Sequence, residues 1–277
     1  MLSNKLNPHR ILEVATKAAI RGGRAIKQYW GDLESFQIEE KTCWRDLVTI
    51  ADKKSEEAIL RTIKHHYPDH IIISEEGGDK TTEINDSEFQ WAIDPLDGTT
   101  NFRHSYPFFC VSIGVLQNEE PMIGVVYDPI RDELFTAMKG QGAYLNGRRL
   151  HVSKVSTLKE SLLVTGFAYS VNELQKTSME LFQKLNFMTH GVRRDGAAAL
   201  DLCYVAAGRL EAFWEYGLHV WDVAAGSLIV QEAGGHVSTP LNEKFNPFEA
   251  QILACNDLIA TELIEQITLS QSKTCSL

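Results

Sequence analysis

Residues 91–102, which read WAIDPLDGTTNF, constrain the fold and chemistry of this chain more than any other segment. The first three are apolar and indicate the end of a buried strand. Asp94 follows, and because Pro95 biases it toward an extended backbone, one tight turn can aim Asp94 and Asp97 at one point. Gly98 and Thr99 then predict the start of a helix, whose unpaired N–H groups attract phosphate. This pattern indicates Mg²⁺ acting on a phosphate ester; an Asx-type turn that caps a helix is the alternative.

The composition argues against several classes of function. The chain has 277 residues, of which 44% are hydrophobic, and this is enough for a sizeable core. Its formal net charge is −10 and it shows no run of Lys or Arg, which argues against direct nucleic-acid binding as the main function. A phosphate substrate stays compatible with this charge, because bound metal ions reverse the local field. No apolar run approaches the length of a membrane span.

The cysteines and the N-terminal residues predict a cytoplasmic location. The five cysteines are scattered and include no C-x-x-C pair, which favours reduced thiols over a disulfide framework or a zinc site. The chain starts with Met-Leu-Ser-Asn-Lys, and no apolar signal core follows. We therefore expect a cytoplasmic protein that does not bind to a membrane.

Helix and strand patterns alternate along the chain. Helices are expected at residues 8–30, 52–66, 173–185, 196–207, 222–233 and 258–267. Strands are expected at residues 71–74, 108–116, 122–127, 133–138, 161–165, 210–216 and 251–254, with a hairpin turn at Asn146 and Gly147. The antiparallel middle predicts a layered α/β or α+β fold rather than a Rossmann sheet. Since no repeat or low-complexity linker interrupts the pattern, we expect residues 1–277 to form one domain.

Further carboxylates stand at the ends of predicted strands and the starts of predicted helices. Glu75 and Glu76 follow the strand at residues 71–74, whereas Asp52 and Asp222 each open a helix after an apolar segment. Taken singly, each is explained by a helix N-cap or by a solvated turn. Taken together, they occupy the positions where open sheets place their functional sites.

Four motifs make the sequence similar to the inositol monophosphatase family of Mg²⁺-dependent, lithium-sensitive phosphatases. In chain order they are residues 46–52, 74–76, 91–102 and 221–235. Arg193, Arg194 and residues 198–209 most resemble the bacterial members. The resemblance implies an α+β fold: a layered α-β-α-β-α sandwich of the metal-dependent, lithium-sensitive sugar phosphatase type.

The resemblance also implies a two-metal site. The ligands of the first Mg²⁺ would be Glu75, Asp94 and the backbone carbonyl of Leu96. The ligands of the second would be Asp94, Asp97 and Asp222. Asp94 would then bridge the two ions, as expected of a clamp on a transferring phosphoryl group.

Catalysis in the family implies direct attack of a metal-activated water, without a covalent phosphoenzyme. Glu75 and Thr99 would orient the water, and Asp52 would orient Thr99 by accepting a hydrogen bond from its hydroxyl. A lone threonine is not basic at neutral pH, so the metal must contribute most of the activation. A third, loosely held ion near Glu75 and Glu76 is also implied.

The resemblance assigns two halves to the substrate site. The phosphate would lie against the N–H groups of Gly98 and Thr99. The alcohol half would contact Asp97, Glu215 and the backbone of Gly196, Ala197 and Ala198. For Glu215, a paired and partly buried carboxylate is the alternative. Lys41 resembles a family lysine near the metals, and a solvated surface lysine is its alternative.

These residues predict a phosphatase for inositol 1-phosphate and related small polyol phosphates. Fructose 1,6-bisphosphate, histidinol phosphate and a nucleotide phosphosulfate stay open as substrates, because relatives that act on them share the metal ligands. Residues 163–167 depart from the animal members, which place a serine against the substrate there. The family also implies a homodimer. Some bacterial relatives are regulatory partners of the transcription machinery, which leaves a function of another class open.

Overall fold

The computed structural model describes residues 7–31, 38–40, 47–77, 89–167, 173–249 and 251–274. The helices in these ranges are α1 (Pro8–Tyr29), α2 (Ile50–His66), α3 (Thr99–Arg103), α4 (Glu173–Met188), α5 (Ala198–Ala206), α6 (Val220–Glu232) and α7 (Ala260–Thr274), with a 3₁₀ turn at Leu158–Glu160. The strands are β1 (Ile38–Glu40), β2 (Leu47–Thr49), β3 (Ile71–Ser74), β4 (Phe89–Asp97), β5 (Cys110–Gln117), β6 (Glu120–Asp128), β7 (Glu133–Met138), β8 (Gly142–Leu145), β9 (Arg148–Arg149), β10 (Leu162–Thr165), β11 (Gly191–Arg193), β12 (Ala212–Tyr216), β13 (His236–Ser238) and β14 (Gln251–Cys255).

A seven-stranded sheet organises the N-terminal part of the chain. Its strands run in the order β3-β4-β5-β6-β7-β8-β9; β3 and β4 are parallel and the later neighbours are antiparallel. Helices α1 and α2 pack on one face, where side chains such as Ile11, Ile59 and Trp91 are fully buried. Helix α1 begins as predicted, because the Asn7 side chain accepts a hydrogen bond from the His9 N–H and Pro8 occupies the first turn.

A five-stranded sheet forms a second layer, in the order β11-β10-β12-β14-β13. Strands β11, β10 and β12 are parallel, whereas β14 is antiparallel to both of its neighbours. Helices α5 and α6 lie between the two sheets, and α4 and α7 cover the outer face. The layers therefore alternate as α-β-α-β-α, which confirms the predicted fold class.

Several predicted element boundaries were wrong. Asp52 and Asp222 were predicted to open their helices, but Thr49 and His219 hold the N-cap positions and each aspartate is the third helical residue. The helix expected from residue 196 begins at Ala198, and the last helix runs to residue 274 instead of 267. Within the described ranges, no helix combines the length and the apolar character needed to cross a membrane.

Candidate active site

A break in strand pairing brings Asp94 and Asp97 together. Asp94 pairs with Ser112 and Asp97 with Cys110, so β4 has one residue more than β5 between the two pairs. In a regular strand, residues three apart point to opposite faces. The extra residue is a β-bulge that re-aims the second side chain. The strand therefore does not end at Asp94, as the sequence suggested, but continues through the bulge to Asp97.

Glu75 and Asp222 reach the same edge of the seven-stranded sheet from other elements. Because β3 is parallel to β4, Glu75 follows β3 beside the end of β4, and its N–H donates to the carbonyl of Ile93 at 3.2 Å. Asp222 arrives on the first turn of α6, where its Oδ2 accepts the N–H of His219 at 2.7 Å. Ser112 donates to the Trp221 carbonyl at 3.0 Å and fixes this turn to β5.

We call Glu75, Asp94, Asp97 and Asp222 the acidic cluster. Burial raises the pKa of Asp94 well above its usual range, and the charges of the other three acids raise it further. Burial likewise raises the pKa of Asp222, with Glu75 and Asp97 adding to the effect. Burial raises the pKa of Asp97 to about 7, although the hydrogen bond from the Ala199 N–H opposes it. Buried carboxylates that repel one another favour a bound cation.

The donor chemistry of the acidic cluster fits a hard divalent cation such as Mg²⁺, which prefers carboxylate and carbonyl oxygens. In the part of the chain that the structure describes, no three Asp, Glu, His or Cys side chains are already arranged as a ligand set for a metal. The carboxylates would therefore have to approach one another when a cation binds.

A second pair, the half-buried Thr99 and the buried Asp52, lies beside the acidic cluster. The Thr99 hydroxyl donates to Asp52 Oδ1 at 3.0 Å, and the Leu96 carbonyl oxygen is 3.1 Å from the same hydroxyl. The other Asp52 oxygen accepts the N–H and the hydroxyl of Thr49 at 2.8 and 2.6 Å. Burial raises the pKa of Asp52 to about 6, although the Thr49 hydrogen bonds lower it. One carboxylate thus caps α2 and aligns Thr99 at the same time.

The turn after β4 depends on close backbone packing. Gly98 has φ of +96°, and a Cβ there would lie 2.9 Å from the carbonyl oxygen of Phe108, so only glycine fits. Ser55 of α2 donates to the Pro95 carbonyl at 2.7 Å and holds the bulge from the opposite side. The resulting helix α3 has only five residues. The backbone at Gly98 and Thr99 is therefore fixed on both sides.

Two hydrogen bonds join this turn to α5 and to the segment before it. Asp97 Oδ2 accepts the N–H of Ala199, at the start of α5, at 2.7 Å. The Asn101 side-chain amide donates to the carbonyls of Phe108 and Asp195, both at 2.7 Å. Because Asp195 directly precedes Gly196, Asn101 holds the predicted phosphate segment against the predicted alcohol segment.

Glu215 lies on the five-stranded sheet and faces the space between the two sheets. Its side chain alternates with Trp214, which is buried in the outer core. Burial raises the pKa of Glu215 to about 8; the Arg194 guanidinium lowers it, and the Asp97 carboxylate raises it. We call Gly166, Arg194, residues 196–198 and Glu215 the Glu215 region.

Most of the site residues predicted from sequence lie in these two neighbouring regions, but their roles stay predictions. Glu76 directly follows Glu75 and is half-buried. Lys41 lies outside the described residues. The sequence analysis gave no individual role to Asn101 or Gly166. Asn101 lies within the motif of residues 91–102, and Gly166 lies within residues 163–167, which were singled out only as a departure from the animal members.

The fold and the acidic site define a phosphatase. A sequence model of the inositol monophosphatase family matches residues 7–272, and the chain belongs to this family. It is 48% identical over 256 residues to an inositol-1-monophosphatase of Synechocystis sp., which covers 92% of this chain and 88% of that protein. It is 46% identical over 232 residues to the Nus factor SuhB of Pasteurella multocida, covering 84% and 85%. The structure of an inositol monophosphatase from Anabaena (Nostoc) sp. superposes with a TM-score of 0.81 at 41% identity, covering 95% of this chain and 97% of that one.

Proposed function

We propose that this protein is a Mg²⁺-dependent phosphatase for inositol 1-phosphate and related small polyol phosphates. The observation that carries the proposal is the acidic cluster beside the Thr99–Asp52 pair, in which burial and the neighbouring acids raise the pKa of Asp94 and of Asp222. Glu75, Asp94, Asp97, Asp222 and the Leu96 carbonyl would hold the metal ions. When bound, Mg²⁺ supplies positive charge for the phosphoryl oxygens and makes water a stronger nucleophile.

The protein's own groups position the reactants in this proposal. Because the Thr99 hydroxyl donates to Asp52, its oxygen is free to accept a hydrogen bond from the attacking water, which Glu75 would also orient. The backbone at Gly98 and Thr99 would bind the phosphate. The alcohol would lie between Asp97 and the Glu215 region, because Glu215 and residues 196–198 adjoin Asp97.

A panel of phosphate esters assayed with Mg²⁺ or with EDTA tests this proposal. The panel contains inositol 1-phosphate, glycerol 2-phosphate, fructose 1,6-bisphosphate, histidinol phosphate and a nucleotide phosphosulfate, with released phosphate as the readout. We expect hydrolysis with Mg²⁺, none in EDTA, recovery on re-addition of Mg²⁺, and inhibition by Li⁺. Turnover in EDTA would contradict the metal dependence, and a strong preference for another ester would replace the proposed substrate.

A second candidate is a regulatory role with the transcription machinery, favoured by the similarity to a protein named Nus factor. A pull-down with RNA polymerase and elongation factors tests it. The Asp94→Asn variant should bind as the wild type does if this role is independent of catalysis. Failure of both proteins to bind would reject this role.

The organisation proposed for the chain follows the family resemblance. We propose one domain over residues 1–277, supported by α6, which contacts strands of both sheets. We also propose a homodimer, which sedimentation at several protein concentrations would test.

A further inference from the structure

Gly166 directly follows β10 and lies beside Glu215 of the neighbouring strand. Strands β10 and β12 are parallel, and Thr165 pairs with Trp214. The next residues in the two segments, Gly166 and Glu215, therefore lie side by side. The Thr165 hydroxyl donates to the Trp214 carbonyl at 2.5 Å and holds this register to the end of β10. A side chain at residue 166 would therefore extend on the same face as Glu215.

The Glu215 carboxyl group occupies the space that a side chain at residue 166 would need. An ideal Cβ built on Gly166 would overlap both carboxylate oxygens and the carboxyl carbon of Glu215. The backbone itself does not require glycine, because Gly166 is absent from the glycines with positive φ. Glycine is therefore needed at residue 166 because there is no space for a side chain. It is not needed because of the backbone conformation, which other residues can also adopt.

The contact lies on the side of the sheet that faces the acidic cluster. Phe213, two residues before Glu215, belongs to the core between the sheets, whereas Trp214 and Tyr216 belong to the outer core. Only 9% of Glu215 is exposed, and the charges that act on its carboxyl are those of Arg194 and Asp97. The position of this carboxyl therefore defines one wall of the space next to Asp97.

We propose that Gly166 is a positioning residue that admits the Glu215 carboxyl group and thereby sets the preference for the alcohol half of the substrate. The inference rests on the proposed function, in which Glu215 contacts that half. A methyl group at residue 166 displaces the far end of the Glu215 side chain, which is flexible, rather than any backbone. The change should therefore alter discrimination between alcohols and leave the chemistry at the phosphate intact.

A double-mutant cycle tests the proposal with Gly166→Ala, Glu215→Ala and the double variant. The readout is the ratio of kcat/KM for inositol 1-phosphate to that for glycerol 2-phosphate, at saturating Mg²⁺. We expect Gly166→Ala to change this ratio by about 2- to 10-fold, the range for one hydrogen bond. In the Glu215→Ala background the same substitution should leave the ratio unchanged. The Mg²⁺ concentration for half-maximal activity should stay the same in all four proteins.

Two results would overturn the proposal: an unchanged ratio in folded Gly166→Ala, which includes an equal loss for both esters, or the same change of ratio in both backgrounds. If Gly166→Ala alone does not fold, the double variant decides. A folded double variant with the ratio of Glu215→Ala supports the proposal, and an unfolded one rejects it.

A thermal cycle separates this inference from the proposed function. If the wild type hydrolyses no ester, the proposed function fails, and the contact is then judged by Tm alone. Gly166→Ala should lower the Tm of the wild type by roughly 2–10 °C through overpacking. In the Glu215→Ala background it should leave the Tm unchanged or raise it, because alanine reduces the freedom of the unfolded chain. Equal lowering in both backgrounds would reject the contact.

Discussion

The acidic cluster and the Glu215 region meet at Asp97, but the chain builds them in different ways. In the cluster, two of the carboxylates are held by N–H groups two or three residues away: Asp94 by Leu96 at 2.9 Å, and Asp222 by His219 at 2.7 Å. The Glu215 region instead joins the residue after β10, the segment that leads into α5 and the second half of β12. No two of these segments are close in sequence, so strand register and the hydrogen bonds of Asn101 determine how they meet.

This difference predicts two kinds of mutational effect. A change at Glu75, Asp94 or Asp222 acts on the phosphate, which every ester shares, so it should slow all substrates alike. A change in the Glu215 region acts on the alcohol, so it should alter the ratio between substrates. The following experiments test this division, beginning with the largest effect.

Asp94→Asn should reduce kcat for every ester of the panel by roughly 10³-fold or more, because several kcal/mol of charge stabilisation by metal ions would be lost. In EDTA the same variant should be at least as thermally stable as the wild type, since it removes one of several mutually repelling carboxyls. The measurements are phosphate release and a melting curve.

Asp128→Asn is the matched control for Asp94→Asn. Asp128 is also fully buried in the seven-stranded sheet, but it accepts hydrogen bonds from the backbone of Ile130 and Arg131 and from the Arg131 side chain. Its loss should lower the Tm and leave kcat nearly unchanged. Near-wild-type turnover in folded Asp94→Asn would remove Asp94 from the metal site.

Thr99→Ala and Asp52→Asn should each cost roughly 10²-fold in kcat, and the double variant should be little worse than either. In Asp52→Asn the amide oxygen can still accept from Thr49, which places the NH₂ group toward Thr99. The Thr99 proton then turns toward the Leu96 carbonyl, 3.1 Å away, and the alignment of the hydroxyl is lost. Multiplicative losses in the double variant would show that the two residues act separately.

Above about pH 8, where the Glu215 carboxyl is ionised, Glu215→Gln should lower the ratio of kcat/KM for inositol 1-phosphate to that for glycerol 2-phosphate by about ten-fold, because a substrate hydroxyl loses its hydrogen bond to a charged group. Glu211→Gln is the control: Glu211 is buried near the start of the same strand, but its carboxylate accepts the N–H of Leu162 at 2.6 Å. The control should lose stability and keep the ratio. An equal loss for both esters in Glu215→Gln would assign Glu215 to the scaffold, and a shifted Mg²⁺ requirement would assign it to the acidic cluster.

The smallest effect concerns stability and pH. Folding raises the pKa of Asp52 to about 6, of Asp97 to about 7 and of Glu215 to about 8, in each case mainly by burial. The folded state therefore binds more protons than the unfolded state between about pH 4 and pH 8. The stability that these groups contribute is complete below about pH 4 and is lost as the pH rises through these values.

Melting curves in EDTA at pH 5.5 and 8.0 measure this loss. Mg²⁺ should restore the part of the stability that the acidic cluster loses at the higher pH. Glu215→Gln should eliminate the part of the pH dependence of stability that comes from the Glu215 region. If Mg²⁺ alone abolished the pH dependence, the Glu215 carboxyl would not be an independent contributor, and the two regions would titrate as one.

The sequence alone determined the local chemistry of this protein. Proline, glycine and alternating apolar residues fix strand ends, turns and helix starts within a few residues, so the layered fold and the order of the acidic segments were predictable. Asp52 and Asp222 were wrongly assigned as N-caps, but the error in position was small. In each case the N-cap is the residue three positions earlier.

The tertiary structure decided which distant groups share a space. The sequence predicted that Asp94 and Asp97 converge, but the bulge that aims them depends on pairing with β5, and a bulge leaves no reliable mark on a single strand. The place of Gly166 against the Glu215 carboxyl depends on β10 and β12 becoming neighbours although some 50 residues separate them. Such contacts form only when whole layers of the fold pack together. No short stretch of the sequence therefore predicts them.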